Sequence, residues 1–185
     1  MMEKVRIWSP LAALGLVAAL TLVACNNATD DLETSENVVT VSSVDPLNAC
    51  VDVDGKLVDL DGDGTKETTV YSSVLQDINF DSRLRGQSNG VWSDVIFSSV
   101  AINYTLEGNA PPNRNEAVTI TVPAGGTATQ ELTTVLATDI AAGFFSLGEK
   151  GRIDLIFRGK DASGKPMTAR GQIPVETATS CTITQ

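Results

Sequence analysis

The sequence predicts an all-β domain, an antiparallel β-sandwich of about seven or more strands. Three observations predict it. Apolar residues recur at every second position through much of the chain from Val38 onward, clusters of Gly, Pro, Asn and Asp interrupt those runs, and no convincing long helical stripe occurs. Period-2 alternation with one apolar face marks half-buried strands. Short strands separated by regular turns mark a sandwich.

Taken in order, Val39 and Val41 alternate with polar neighbours. Lys56 to Leu60 and Thr68 to Leu75 are short β-rich runs on either side of a Gly-Asp cluster. Val100, Ile102, Tyr104 and Leu106 share one face of a strand, and Ala101, Asn103 and Thr105 share the other. Val118, Ile120 and Val122 alternate with threonines, and Ile153, Leu155 and Phe157 alternate with Asp154, Ile156 and Arg158. Met167, Ala169, Gly171, Ile173 and Val175 complete the series. Turn chemistry separates these runs at Gly108 to Asn113, Pro123 to Gly126 and Asp161 to Pro166, the last of which reads as a hairpin. Thr138 to Gly148 suits either a short helical turn or an irregular crossover.

Ahead of the domain stands a different kind of segment. Lys4 and Arg6 supply positive charge, Leu11 to Val23 is an apolar run, and Leu22-Val23-Ala24-Cys25 ends it. The run is too short for a bilayer span, which takes about 20 apolar residues, and has the layout of a secretory signal peptide. Its last four residues resemble the lipobox of bacterial lipoproteins. That resemblance implies a signal peptide over residues 1–24 and a lipidated Cys25 at the mature N-terminus. Asn26 after the cysteine fits outer-membrane sorting if the source is Gram-negative. The expected location is the cell envelope, with the membrane as a partner through the lipid. Residues 25–37 are polar and acidic, with Asp30, Asp31, Glu33 and Glu36, and cannot offset their ordering entropy. They are predicted to be a disordered tether, leaving residues 38–185 as the sandwich.

Removing residues 1–24 leaves 161 residues with 11 basic and 22 acidic side chains, a net charge of −11. Such a charge repels phosphate backbones and anionic lipid heads, so no nucleic-acid partner is expected. The chain has no histidine, which excludes Ser-His-Asp and Cys-His catalysis and histidine-based zinc sites. Trp92 is the single mature tryptophan, and Tyr71 and Tyr104 are the only tyrosines, a poor supply for a sugar-binding platform. Cys50 and Cys181 remain as an even pair in an oxidising compartment and are expected to form a disulfide. Two separately buried thiols are the alternative.

Val95 to Val175 is similar to the immunoglobulin-like or fibronectin-like domain of bacterial lipoproteins. The strand holding Val100, Ile102 and Tyr104 carries the resemblance, with the turn Pro123-Ala124-Gly125-Gly126-Thr127 and the hairpin from Ile156 to Lys165. The Cys-Trp-Cys arrangement of antibody domains is not reproduced, because Cys50 and Cys181 lie near the two ends. The resemblance implies fold and not activity.

One stretch reads as a site: Asp59-Leu60-Asp61-Gly62-Asp63-Gly64-Thr65-Lys66-Glu67. Calcium takes six to eight oxygens around a tightly turning backbone, and alternate aspartates with a glycine at the sixth position supply that pattern. An EF-hand needs a glutamate at the twelfth position, which is Val70, and the flanks are β-like. The run instead resembles the calcium loops on β-hairpins of integrin-type propeller and thrombospondin-like repeats. By that resemblance Asp59, Asp61, Asp63, Thr65 and Glu67 are the ligands, Ca2+ is the candidate cofactor, and Asp52 and Asp54 add charge. The competing reading is a plain Asp-Gly hairpin turn.

Other features have plainer readings. Phe144-Phe145 suits the end of the core, and Arg83, Arg85 and Arg114 read as solvated loop charges. Asp77, Asp81 and Asp94 are carboxylates from which a glycosidase-like pair can be drawn. The expected function is a non-enzymatic binding or structural module on a membrane-anchored lipoprotein, its partner an envelope protein or polymer. The competing class is an envelope-polymer hydrolase working through a carboxylate pair.

Overall fold

The computed structural model describes residues 37–84 and 93–181. Among the described residues, ten strands run in chain order: β1 (Asn37–Asp45), β2 (Ala49–Asp52), β3 (Lys56–Val58), β4 (Thr68–Val70), β5 (Val74–Leu84), β6 (Val95–Leu106), β7 (Arg114–Val122), β8 (Thr127–Val135), β9 (Lys150–Asp161) and β10 (Pro166–Ala178). A single helical turn, α1 (Ala137–Ala141), lies between β8 and β9. It resolves the ambiguous stretch in favour of a short helical turn. The expected signal peptide with Cys25, the expected tether through Glu36, Arg85 and Trp92 lie outside the described residues.

A three-stranded sheet, ordered β1-β5-β8, packs on a five-stranded sheet, ordered β2-β10-β9-β6-β7, and β3-β4 form a separate small sheet. The fold is an all-β sandwich. Its strands pair antiparallel except β2, which lies parallel to β10 with Ala49 opposite Val175 and Asp52 opposite Ala178. That pairing departs from a purely antiparallel expectation and has a simple cause. β1 and β2 continue in one direction, and the chain changes sheets between them at Pro46.

The core lies between the sheets. Ile78 and Phe80 of β5 meet Phe97 of β6 and Leu155 and Phe157 of β9, all fully buried. Phe80 stacks on Phe97 at 5.6 Å and meets Phe157 edge-on at 4.9 Å, the offset and T-shaped contacts that aromatic quadrupoles favour. On β9 and β10 the alternation in the sequence is the alternation in space: Ile153, Leu155, Phe157, Met167, Ala169, Ile173 and Val175 face inward.

Among the described residues three register shifts keep longer strands facing the core: between Val41 and Ser43, between Phe97 and Ser99, and at Thr134, which falls between the pairs Val74–Val135 and Leu75–Thr133. Each bulge adds a residue and flips the parity of the strand. Val95 and Phe97 point inward before the shift in β6, and Val100, Ile102 and Tyr104 point inward after it.

Several expectations placed residues too loosely. Arg83 sits in β5, with Asp77 and Asp81, and Arg114 opens β7; neither arginine is in a loop. Polar residues on the outer faces hid these strands. β1 begins at Asn37, whose side-chain amide donates to the Ser93 carbonyl at 2.7 Å. Phe145 is buried and Phe144 packs against the core, as a plug at the sandwich end.

Candidate metal centre

The short hairpin β3-β4, with Lys56 opposite Val70 and Val58 opposite Thr68, holds the loop between them away from the core. Within that loop the carboxylates of Asp59, Asp61 and Asp63 converge, with one oxygen from each within 4.8 Å of the others. Alternation explains the convergence. Gly62 and Gly64 take φ of +80° and +93°, a region that favours glycine. The chain therefore curls and brings every second side chain to one side.

Local hydrogen bonds fix the first aspartate. Asp59 accepts the Gly62 N–H at 2.6 Å and the Gly64 N–H at 2.8 Å. The Gly64 bond, followed by the Gly62 bond, holds the Asp59 carboxyl below its ordinary value, because both favour the ionised form. Asp61 accepts the Asp63 N–H at 3.3 Å and Asp63 accepts the Thr65 N–H at 2.7 Å. Each Asp thus turns the backbone that carries the next one. Asp61 and Asp63 are exposed and Asp59 is half-buried.

The donor set suits a hard divalent cation. Its ligand atoms are carboxylate oxygens, which hard cations prefer over soft ones. Among the sequence-predicted ligands, the structure groups Asp59, Asp61 and Asp63. Glu67 is not part of that group, and Thr65 enters through its N–H bond to Asp63. Asp52 turns its own loop instead, accepting the Asp54 and Gly55 N–H groups at 3.1 Å each.

Cys50 and Cys181 form a disulfide, with Cα atoms 5.7 Å apart and a sequence separation of 131. It joins β2 to the segment after β10 and lies beside an open groove of about 600 Å³ lined by Leu47, Val74, Leu75 and Glu176 among others. Of the carboxylates from which a catalytic pair can be drawn, two have local partners: Asp81 pairs with Arg83 at 2.5 Å, and Asp94 accepts the Ala124 N–H at 3.0 Å. Asp77 stands across from Asp45 and Glu131 on neighbouring strands.

Two polar features carry no sequence signal of their own. Glu149 is buried, and its carboxylate accepts the Gly108 N–H at 2.5 Å and the Ser146 N–H at 3.0 Å. It ties the turn after β6 to the turn before β9, an anchor that no motif announces. Arg114 donates from Nη2 to the Thr133 carbonyl, and its Nε lies 2.9 Å from Glu116. The second contact is between charges and is not an aligned hydrogen bond.

No protein-family model matches the chain, and no curated protein is similar to it in sequence.

Proposed function

We propose that the protein is an exported, lipid-anchored module of the cell envelope that binds or scaffolds without catalysing a reaction, and that its β3-β4 loop takes calcium. One observation carries the calcium part: three carboxylates brought within 4.8 Å on an exposed loop, with the first held ionised by two backbone N–H groups. The anchor part rests on the lipobox-like Leu22-Val23-Ala24-Cys25. The sandwich supports the resemblance to immunoglobulin-like lipoprotein domains by its layout of two packed sheets.

Calcium would relieve repulsion among Asp59, Asp61 and Asp63 and fix the hairpin. Exported calcium modules bind at about 10⁻⁴–10⁻³ M. Binding to the folded state alone raises the melting temperature with free calcium. Asp61→Ala is expected to abolish that rise without harming the metal-free domain, and magnesium is expected to do little because it dehydrates reluctantly. A melting curve and a calorimetric baseline that do not respond to several times the expected Kd would reduce the loop to a turn. Mass spectrometry of the mature N-terminus tests the anchor. A diacylated or triacylated Cys25 supports it, and an unacylated terminus removes it.

A further inference from the structure

The two ends of the sandwich differ in charge. Asn37 is bonded to Ser93, the Asp94 carbonyl accepts the Ala162 N–H, and Val95 pairs with Asp161. The point where the chain enters the domain, the start of β6 and the β9-β10 hairpin therefore share one end. From there β10 runs to Ala178, and β2 runs beside it toward the β3-β4 loop. The aspartate loop thus belongs to the far end.

Charge follows this axis. Asp45 to Glu67 holds seven carboxylates against two lysines, whereas Arg158 to Lys165, where β9 reaches the entry end and turns, holds three basic residues against Asp161 alone. Arg152 is paired with Asp154 at 3.2 Å. Arg158, Lys160 and Lys165 lie toward the entry end and are exposed, and none has a carboxylate within ion-pair distance among the described residues. The acids nearest them are occupied. Asp94 caps Ala124, and Asp161 turns inward to accept the Ser163 and Lys165 N–H groups.

Arg158 and Lys160 flank a shallow pocket of about 400 Å³, completed by Ile96, Ser98 and Gly159. Its shape comes from the bulge at Ser98 and from a glycine that lets β9 lie close to β6. Ile96, half-exposed, pairs across the strands with Lys160. A guanidinium and an ammonium beside a small pocket, next to an exposed isoleucine, suit a phosphate headgroup at an apolar boundary.

We propose that this end of the sandwich docks on an anionic phospholipid surface, with Arg158, Lys160 and Lys165 on headgroup phosphates and Ile96 toward the acyl chains. The inference rests on the membrane-anchored reading, which brings the entry end to the bilayer. It also revises what net charge implies. A chain with net charge −10 is repelled by an anionic surface on average, yet segregation of that charge turns one end toward it. Each Lys or Arg near such a surface strengthens attachment about fivefold.

The test is amine acetylation of the whole protein, read by mass spectrometry, with phosphatidylglycerol vesicles, with phosphatidylcholine vesicles and without vesicles. Lys160 and Lys165 are expected to label roughly fivefold more slowly on phosphatidylglycerol than on phosphatidylcholine, while Lys56 and Lys66 at the far end stay equally reactive. High salt and Arg158→Gln should each reduce the protection. Equal labelling of Lys160 and Lys165 on the two lipids overturns the proposal. Protection that needs no vesicles and rises with protein concentration also overturns it, assigning the face to a second copy. Sedimentation with phosphatidylcholine reports the lipid anchor separately: its loss removes the anchor, while labelling on phosphatidylglycerol still decides the docking face.

Discussion

The Tyr104 hydroxyl on β6 donates to the Thr134 carbonyl on β8 at 2.6 Å, a hydrogen bond that crosses from one sheet to the other. Thr134 is the extra residue of a bulge, opposite neither Val74 nor Leu75, so its carbonyl is turned out of the ladder. Its side chain donates to Gln76 at 2.9 Å, and Gln76 donates to the Pro46 carbonyl at 2.7 Å. A polar line through an apolar core is tolerable because each member has a partner.

Tyr104→Phe should therefore destabilise the domain by about 1–3 kcal/mol, since it leaves a buried carbonyl without its donor. Chemical denaturation checks this. An unchanged midpoint would mean that the bond contributes nothing net.

The same residue sets an alkaline limit. Burial pushes the Tyr104 hydroxyl up to about 12, with Arg114 pulling it down and Asp139 and Glu116 adding to the rise. An unfolded tyrosine ionises near 10. Between about 10 and about 12 the unfolded state therefore holds fewer protons than the folded state, and stability falls as pH rises. Its contribution is full below pH 10. Tyr104→Phe should flatten this part of the stability profile, measured as denaturation midpoint against pH.

Removing the disulfide should cost a few kcal/mol. Closing a span of 131 residues gives about 5 kcal/mol by loop entropy, and native bridges in small domains contribute about 2–5 kcal/mol. Non-reducing peptide mapping should link Cys50 to Cys181, and the double serine variant should show the loss in a thermal melt.

Gly159 and Gly164 make a matched pair of alanine tests. A Cβ on Gly159 would stand 2.1 Å from the Ile96 carbonyl oxygen and 2.6 Å from the Phe97 Cα, so β6 itself must move. Overpacking of that kind costs about 1–3 kcal/mol or more. Gly164, at φ +84° with open space around it, meets no atom, and its alanine variant should lose only the local backbone term, about 1–2 kcal/mol. Equal losses, read by denaturation, would mean that β9 and β6 yield easily.

Legibility in the sequence followed apolar contrast. β9 and β10 were plain because their inward residues are apolar except near their ends, at Asp161 and Thr177, and the residues between are mostly not. β5 escaped because only Ile78 and Phe80 carry its inner apolar signal, while the other two buried inward side chains, Gln76 and Ser82, are polar. β8 escaped for a related reason: its threonines alternate with nothing greasier than Leu132 until the bulge. The aspartate loop was legible because its geometry is local, set by spacing and two glycines. Charge segregation was not, since net charge sums over a surface whose two ends only the topology separates.

The disulfide also decides how the domain would respond to tension. A pull applied between the first and last residues crosses from Cys50 to Cys181 through a single covalent bond, and the chain between them carries none of it. Among the described strands, only β1 lies wholly outside that span. Stretching would peel β1 from β5 and then stall, with the two-sheet body and the aspartate loop still intact behind the bridge.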